Sequence, residues 1–170
     1  SKKLVQSLQA RGWKIRTSTA KSPLLPATIA KRYPRLPKPA IAFLSAYQRC
    51  ENAQANAWFL TRADFRRKDP GGFVWNEFEK RGLEYAASDA QRDLVTRFWD
   101  EHFPFLYSVR SDDDYLAIRV AKPGVGQVVH GCAPEWECPT LVAASFAQFL
   151  EAYTRAASAA EPEYPYSLFL

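Results

Sequence analysis

The side chains best suited to soft-metal chemistry sit close together as His130, Cys132 and Cys138. An imidazole and two thiolates are zinc ligands, but a closed zinc site takes four, and the sequence has no C-x-x-C pair to complete it. Cys50 joins them only if folding brings it there, so ordinary strand and loop residues are the preferred reading. Cys50 with His102 would make a thiol–imidazole pair, although cysteine more often serves as a small buried hydrophobe. Asp112-Asp113-Asp114 gathers three carboxylates without the glycine and closing glutamate of an EF-hand loop. It reads as a solvated turn or as an acidic contact surface. Glu135-Trp136-Glu137 lies in a proline-bounded loop. A tryptophan flanked by carboxylates anchors a basic partner, or it packs on the sheet while the carboxylates face water; both remain open. Arg62, Arg66, Arg67 and Lys68 surround Phe65 and offer either phosphate contacts or a solvated face.

Signatures of the common enzyme classes are missing. There is no glycine-rich phosphate loop among the seven glycines, no G-x-S-x-G and no H-E-x-x-H. No catalytic residues, metal or cofactor are therefore expected. The three cysteines are odd in number and widely spaced, which points to a reducing cytoplasm rather than a disulfide framework. No apolar run reaches the ~20 residues of a membrane helix, and the first residues lack the apolar core of a signal peptide. The net charge of +5 is unevenly spread: residues 1–40 hold ten Lys/Arg and no Asp/Glu, so the remainder is net acidic. This pattern predicts a basic N-terminal arm on an acidic body and disfavours a simple nucleic-acid binder.

The elements that must position these residues can be traced along the 170 residues, a length that fits one domain with a full core. Leu4, Val5 and Leu8 have helical spacing, and residues 12–26 read as a linker or extended arm. Pro26 opens a short helix that stops before Pro34, and Pro37 and Pro39 start another with Ile41, Phe43, Leu44 and Tyr47 inward. Trp58-Phe59-Leu60 is a buried strand, and Pro70-Gly71-Gly72 is a turn. Ser88 with Gln91 and Ser145 with Gln148 are capping boxes. The first opens a helix with Leu94, Val95, Phe98 and Trp99 on one side; the second opens one with Phe146, Phe149, Leu150 and Tyr153 inward. Residues 105–109 form a strand, and 115–120 alternate as a half-buried antiparallel strand. A hairpin turn at 123–126 returns the chain through 127–131. The prediction is α+β: N-terminal helices, a central antiparallel sheet and a closing C-terminal helix. Its parts are an arm or helix at 1–24, a domain at 25–157, and an apolar tail at 158–170 packed on that domain.

Several blocks resemble the SUKH superfamily, the Smi/Knr-like group named partly for a yeast cell-wall synthesis regulator. Leu25-Pro26 with Tyr33-Pro34-Arg35-Leu36-Pro37 and Phe43-Leu44-Ser45-Ala46-Tyr47 is similar to its opening. Trp58-Phe59-Leu60 and Phe73-Val74-Trp75-Asn76-Glu77-Phe78 look like its next blocks. Residues 103–109 and 115–118 look like its central strands, 126–131 its glycine-led strand, and 142–150 its closing helix. His130 stands where the family commonly has an aromatic, and residues 1–24 lie outside the pattern. The resemblance implies an α+β domain that binds proteins, with no shared catalytic residues. In bacteria it implies an immunity protein against a toxin effector; otherwise it implies a regulatory scaffold. On that reading the contact surface comprises Trp75, Glu77, Asp112, Asp113, Asp114, Tyr115, Glu135, Trp136 and Glu137. The acidic loops would meet a basic toxin, with exposed Trp75 or Trp136 as anchors.

Overall fold

The computed structural model describes residues 2–67 and 73–170. The predicted turn at 70–72 and Lys68 lie outside the described residues. The protein is α+β, with six α-helices and a seven-stranded antiparallel sheet among the described residues. The strands are β1 (Lys14–Thr17), β2 (Tyr47–Glu51), β3 (Ala57–Phe59), β4 (His102–Ser108), β5 (Asp114–Arg119), β6 (Val128–Gly131) and β7 (Thr140–Ala143). They lie side by side in sequence order, so β1 and β7 are the two edges. The helices are α1 (Lys2–Ala10), α2 (Ala27–Arg32), α3 (Lys38–Ser45), α4 (Glu77–Tyr85), α5 (Asp89–Glu101) and α6 (Phe146–Ser158). No described helix is long and apolar enough to cross a membrane.

Successive strand residues point to opposite faces, and the rings divide accordingly. Phe59 meets Trp13, Phe43, Phe105 and Tyr153, and Phe105 meets Phe146 and Phe149. This face is covered by α1, α3 and α6. Trp58 and Tyr107 point the other way, where Tyr107 meets Phe73 and Phe78, and Tyr115 meets Trp99. There the cover comes from α4 and α5. Because both faces are covered, the alternating segment at 115–120 is buried on both sides rather than half-buried.

The predicted N-terminal arm is not separate from the domain. Leu4 and Leu8 of α1 are buried, Trp13 is in the core, and β1 pairs with β2. Arg11 donates through Nε to the Ala157 carbonyl at 2.8 Å, tying α1 to the end of α6. The helical spacing of Leu4 and Leu8 supplies an apolar stripe that needs a partner, and α6 provides it. The last residues pack on the same face: Phe169 is buried and its carbonyl accepts from Tyr153 Oη at 2.8 Å.

Both serine caps form. Ser88 Oγ accepts from the Gln91 N–H and Ser145 Oγ from the Gln148 N–H. Gln91 reaches back one residue further than a capping box requires, to the Ala87 N–H at 2.7 Å. On α5, Val95 and Trp99 are buried but Leu94 is exposed, so the inward stripe is narrower than its spacing suggested. Tyr47 belongs to β2 rather than to the helix before it.

Candidate functional site

Apart from Trp75, the residues predicted as an acidic contact surface are gathered at one corner, but most of them are engaged by neighbouring side chains or backbone. Asp114 begins β5 and is buried, where Oδ1 faces His130 Nε2 at 2.8 Å and Oδ2 accepts from Ser111 Oγ at 2.9 Å. The β5–β6 register brings this pair into reach by setting Leu116 opposite His130. Asp113, at a φ of 54°, pairs with Arg81 at 2.5 Å, and Arg81 also pairs with Glu77 at 3.3 Å. Tyr115 is buried and donates to the Trp136 carbonyl.

Trp136 is a core residue and not an exposed anchor. It is 5% exposed, stacks on Phe78 at 5.4 Å, and donates through Nε1 to the Asp113 carbonyl at 3.2 Å. Gly131 lies under the Tyr115 ring: a β-carbon there would sit 2.6 Å from Cζ, so only glycine allows this approach. Glu137 is half-buried, and burial pushes its carboxyl pKa up. Its Oε1 and the Trp99 indole N–H are both enclosed without an aligned hydrogen-bond partner among the described residues. Of the acidic set, Asp112 and Glu135 remain exposed. Trp75 stands apart and half-buried, 6.1 Å from the Tyr33 ring.

His102 and Cys50, two of the candidate chemical groups, also have structural employment. His102 stacks on Phe98 at 4.2 Å, and its Nδ1 lies 2.8 Å from the Phe98 carbonyl. Burial lowers its pKa. Cys50 is buried in β2, and burial pushes its thiol up to about 12, which suppresses the thiolate. No hydrogen bond joins Cys50 to His102 among the described residues. Cys132 and Cys138 are free thiols near His130, and no group of three such ligands among the described residues could hold a metal ion.

A second charged region is open. On the face bearing Trp58, α4 and α5 cover the β4–β6 end of the sheet, while the β1–β3 end carries exposed Arg16, Gln48 and Arg49. Thr61 to Arg67 rises beside it and borders three recesses, of about 290, 340 and 650 Å³. Its short 3₁₀ turn, Asp64–Arg66, is fixed by Asp64 Oδ2, which accepts from the Thr61 N–H and Oγ1 at 2.7 Å each. Phe65 is buried and stacks on Phe103 at 5.4 Å.

Arg62 and Arg66 hold the 18–24 segment by donating to the Ser22, Pro23 and Leu24 carbonyls and to Ser18 Oγ. A carbonyl accepts a hydrogen bond without cancelling the charge, so both cations still project a field into the trough. Arg32, at the far margin, is different. Burial works against its charge, but the Glu79 and Asp100 hydrogen bonds together with the nearby Tyr33 and Glu79 charges outweigh this and raise its pKa. Glu79 and Asp100 neutralise it at 2.6 and 2.7 Å.

The trough residues were only partly foreseen. Arg62, Arg66 and Arg67 stood out as a basic run, but Arg16 and Arg49 carried no local mark. The available signal was weak: Arg16 and Arg49 each sit beside a more buried neighbour, Ile15 and Cys50, as strand alternation requires. Comparison of the chain with protein-family models, with curated proteins and with solved structures returned no match.

Proposed function

We propose that this protein is a non-catalytic protein-binding domain of the bacterial immunity type, acting in the cytoplasm to neutralise a toxin effector held against the arginine-lined trough. The observation that carries the reading is the convergence of three recesses on one arginine-rich segment, 61–67. Arg16, Arg49, Arg62, Arg66 and Arg67 line them, against Glu51 and Asp64. Concave surfaces of one dominant sign steer and select partners of the other sign. The ordered blocks that resemble SUKH domains support the same class of function. So does the structural employment of Cys50, His102 and His130. The binding surface differs from the one expected from sequence: it is the basic trough, and the matching partner surface is acidic. The proposal needs no cofactor.

The test is co-expression with a toxin candidate encoded beside the gene. Growth is rescued and the two proteins co-elute on a sizing column if the reading holds. Continued cell death with no complex contradicts the immunity role. A stable complex with an endogenous protein and no rescue would instead indicate a regulatory scaffold of the Smi/Knr type.

A further inference from the structure

The β1–β2 register sets Arg16 directly opposite Arg49. Like charges in directly opposed positions of an antiparallel pair repel and weaken the sheet. Charged side chains on an edge strand are a common defence against aggregation, which accounts for Arg16 alone. It does not account for Arg49 on the inner neighbour. Two residues further along β2, Glu51 pairs in register with Trp58, so Arg16, Arg49, Glu51 and Trp58 share one face. All four line the recess of about 290 Å³, and Arg67 closes it from the 61–67 segment. Glu51 takes one N–H of Arg49. Among the described residues, Arg16 makes no ion pair and Arg67 donates only to the Phe73 carbonyl, at 3.3 Å. Three guanidinium groups therefore line one concavity, with a single carboxylate, Glu51, paired to them among the described residues.

Resting on the protein-binding reading, we infer that Arg16, Arg49 and Arg67 form the anchor for a carboxylate side chain in an acidic segment of the partner protein. A guanidinium offers a planar fork of donors that matches a carboxylate in two parallel bonds. An incoming carboxylate removes the Arg16–Arg49 repulsion as it binds. Glu51 and Asp64, which line the same recess, argue against a nucleic-acid backbone. Evenly spaced phosphates would meet both carboxylates, whereas a polypeptide can present donors to them and a carboxylate to the arginines.

The experiment titrates the full chain at low ionic strength with an oligo-glutamate peptide and with an oligothymidylate of matched charge, followed by calorimetry. The peptide binds; the Arg16→Glu/Arg49→Glu variant loses about tenfold or more of that affinity, and Arg155→Glu on the exposed part of α6 retains it. A second variant, Arg16→Gln/Arg49→Gln, removes the charges without reversing them and loses affinity in the same direction. Tighter binding of the oligothymidylate, no binding of the peptide, or equal loss in Arg155→Glu overturns the anchor. If a toxin captured by co-expression binds the doubly reversed variant undiminished, the anchor fails while the protein-binding reading stands. If co-expression yields no complex at all, the broader reading fails.

Discussion

The acidic corner and the basic trough both collect charged and aromatic side chains, yet they use them in opposite ways. At the corner, Asp114 meets His130, Asp113 meets Arg81, and Trp136 lies under the loop against Phe78. In the trough, Arg62 and Arg66 bond to uncharged carbonyls, and Arg16 faces Arg49. The corner pairs Glu77, Asp113 and Asp114 and so contributes to folding. The trough leaves Arg16 without an ion pair among the described residues, and its opposition to Arg49 carries a small cost in stability. A surface that accepts such a cost is a better candidate for binding than one whose charged groups are mostly paired.

That contrast is broken most readily at the corner. Trp136→Ala should cost about 3–5 kcal/mol in urea unfolding, the usual loss for a large buried aromatic. Asp114→Ala should cost about 2–3 kcal/mol, because it leaves the His130 ring and the Ser111 hydroxyl without their buried acceptor. Gly131→Ala should cost about 2 kcal/mol, since the added methyl must displace the Tyr115 ring. A corner that tolerated all three changes, read by thermal melting, would belong with the trough as an open surface.

Smaller effects sharpen the same contrast. Burial raises the folded-state pKa of Glu137 above its unfolded value. The fold therefore favours the protonated carboxyl. That contribution is fully present below the unfolded carboxylate range and is lost as pH rises through the folded value. Glu137→Gln should accordingly melt higher than the natural protein at neutral pH, with the gap closing on acidification. In the trough, Arg16→Glu should leave the melting temperature unchanged or slightly raised, because it turns a repulsive cross-strand pair into an attractive one. A clear fall in melting temperature there would mean that Arg16 has a structural role.

The regular parts of the fold were legible where the signal is local. The alternation at 115–120, the Ser88 and Ser145 caps and the Pro123–Gly126 turn each announce themselves within a few residues, and β5, α5, α6 and the β5–β6 hairpin follow. β1, β2 and β7 were not legible. The first two are four or five residues long and read KIRT and YQRCE, with little β-patterning. Their pairing joins residues thirty or more positions apart, so it is visible only in the folded chain. β7, with Leu141 exposed, is an edge strand with a weak inward face. The acidic corner was legible as a set of residues but not as a paired network. Whether Asp114 faces water or His130 depends on the β5–β6 register, which no single segment encodes. The basic run at 62–67 was visible, but Arg16 and Arg49 join it only through the sheet.

The measurement that tests the account most directly compares the two regions in one titration. Oligo-glutamate is titrated into the natural protein, into Arg16→Glu/Arg49→Glu, and into Asp112→Lys/Glu135→Lys, which reverses the two exposed carboxylates of the corner. Affinity lost in the trough variant and kept in the corner variant is the predicted result. Unchanged affinity in the trough variant, or stronger binding of an oligo-lysine peptide that is lost on reversing Asp112 and Glu135, would contradict it.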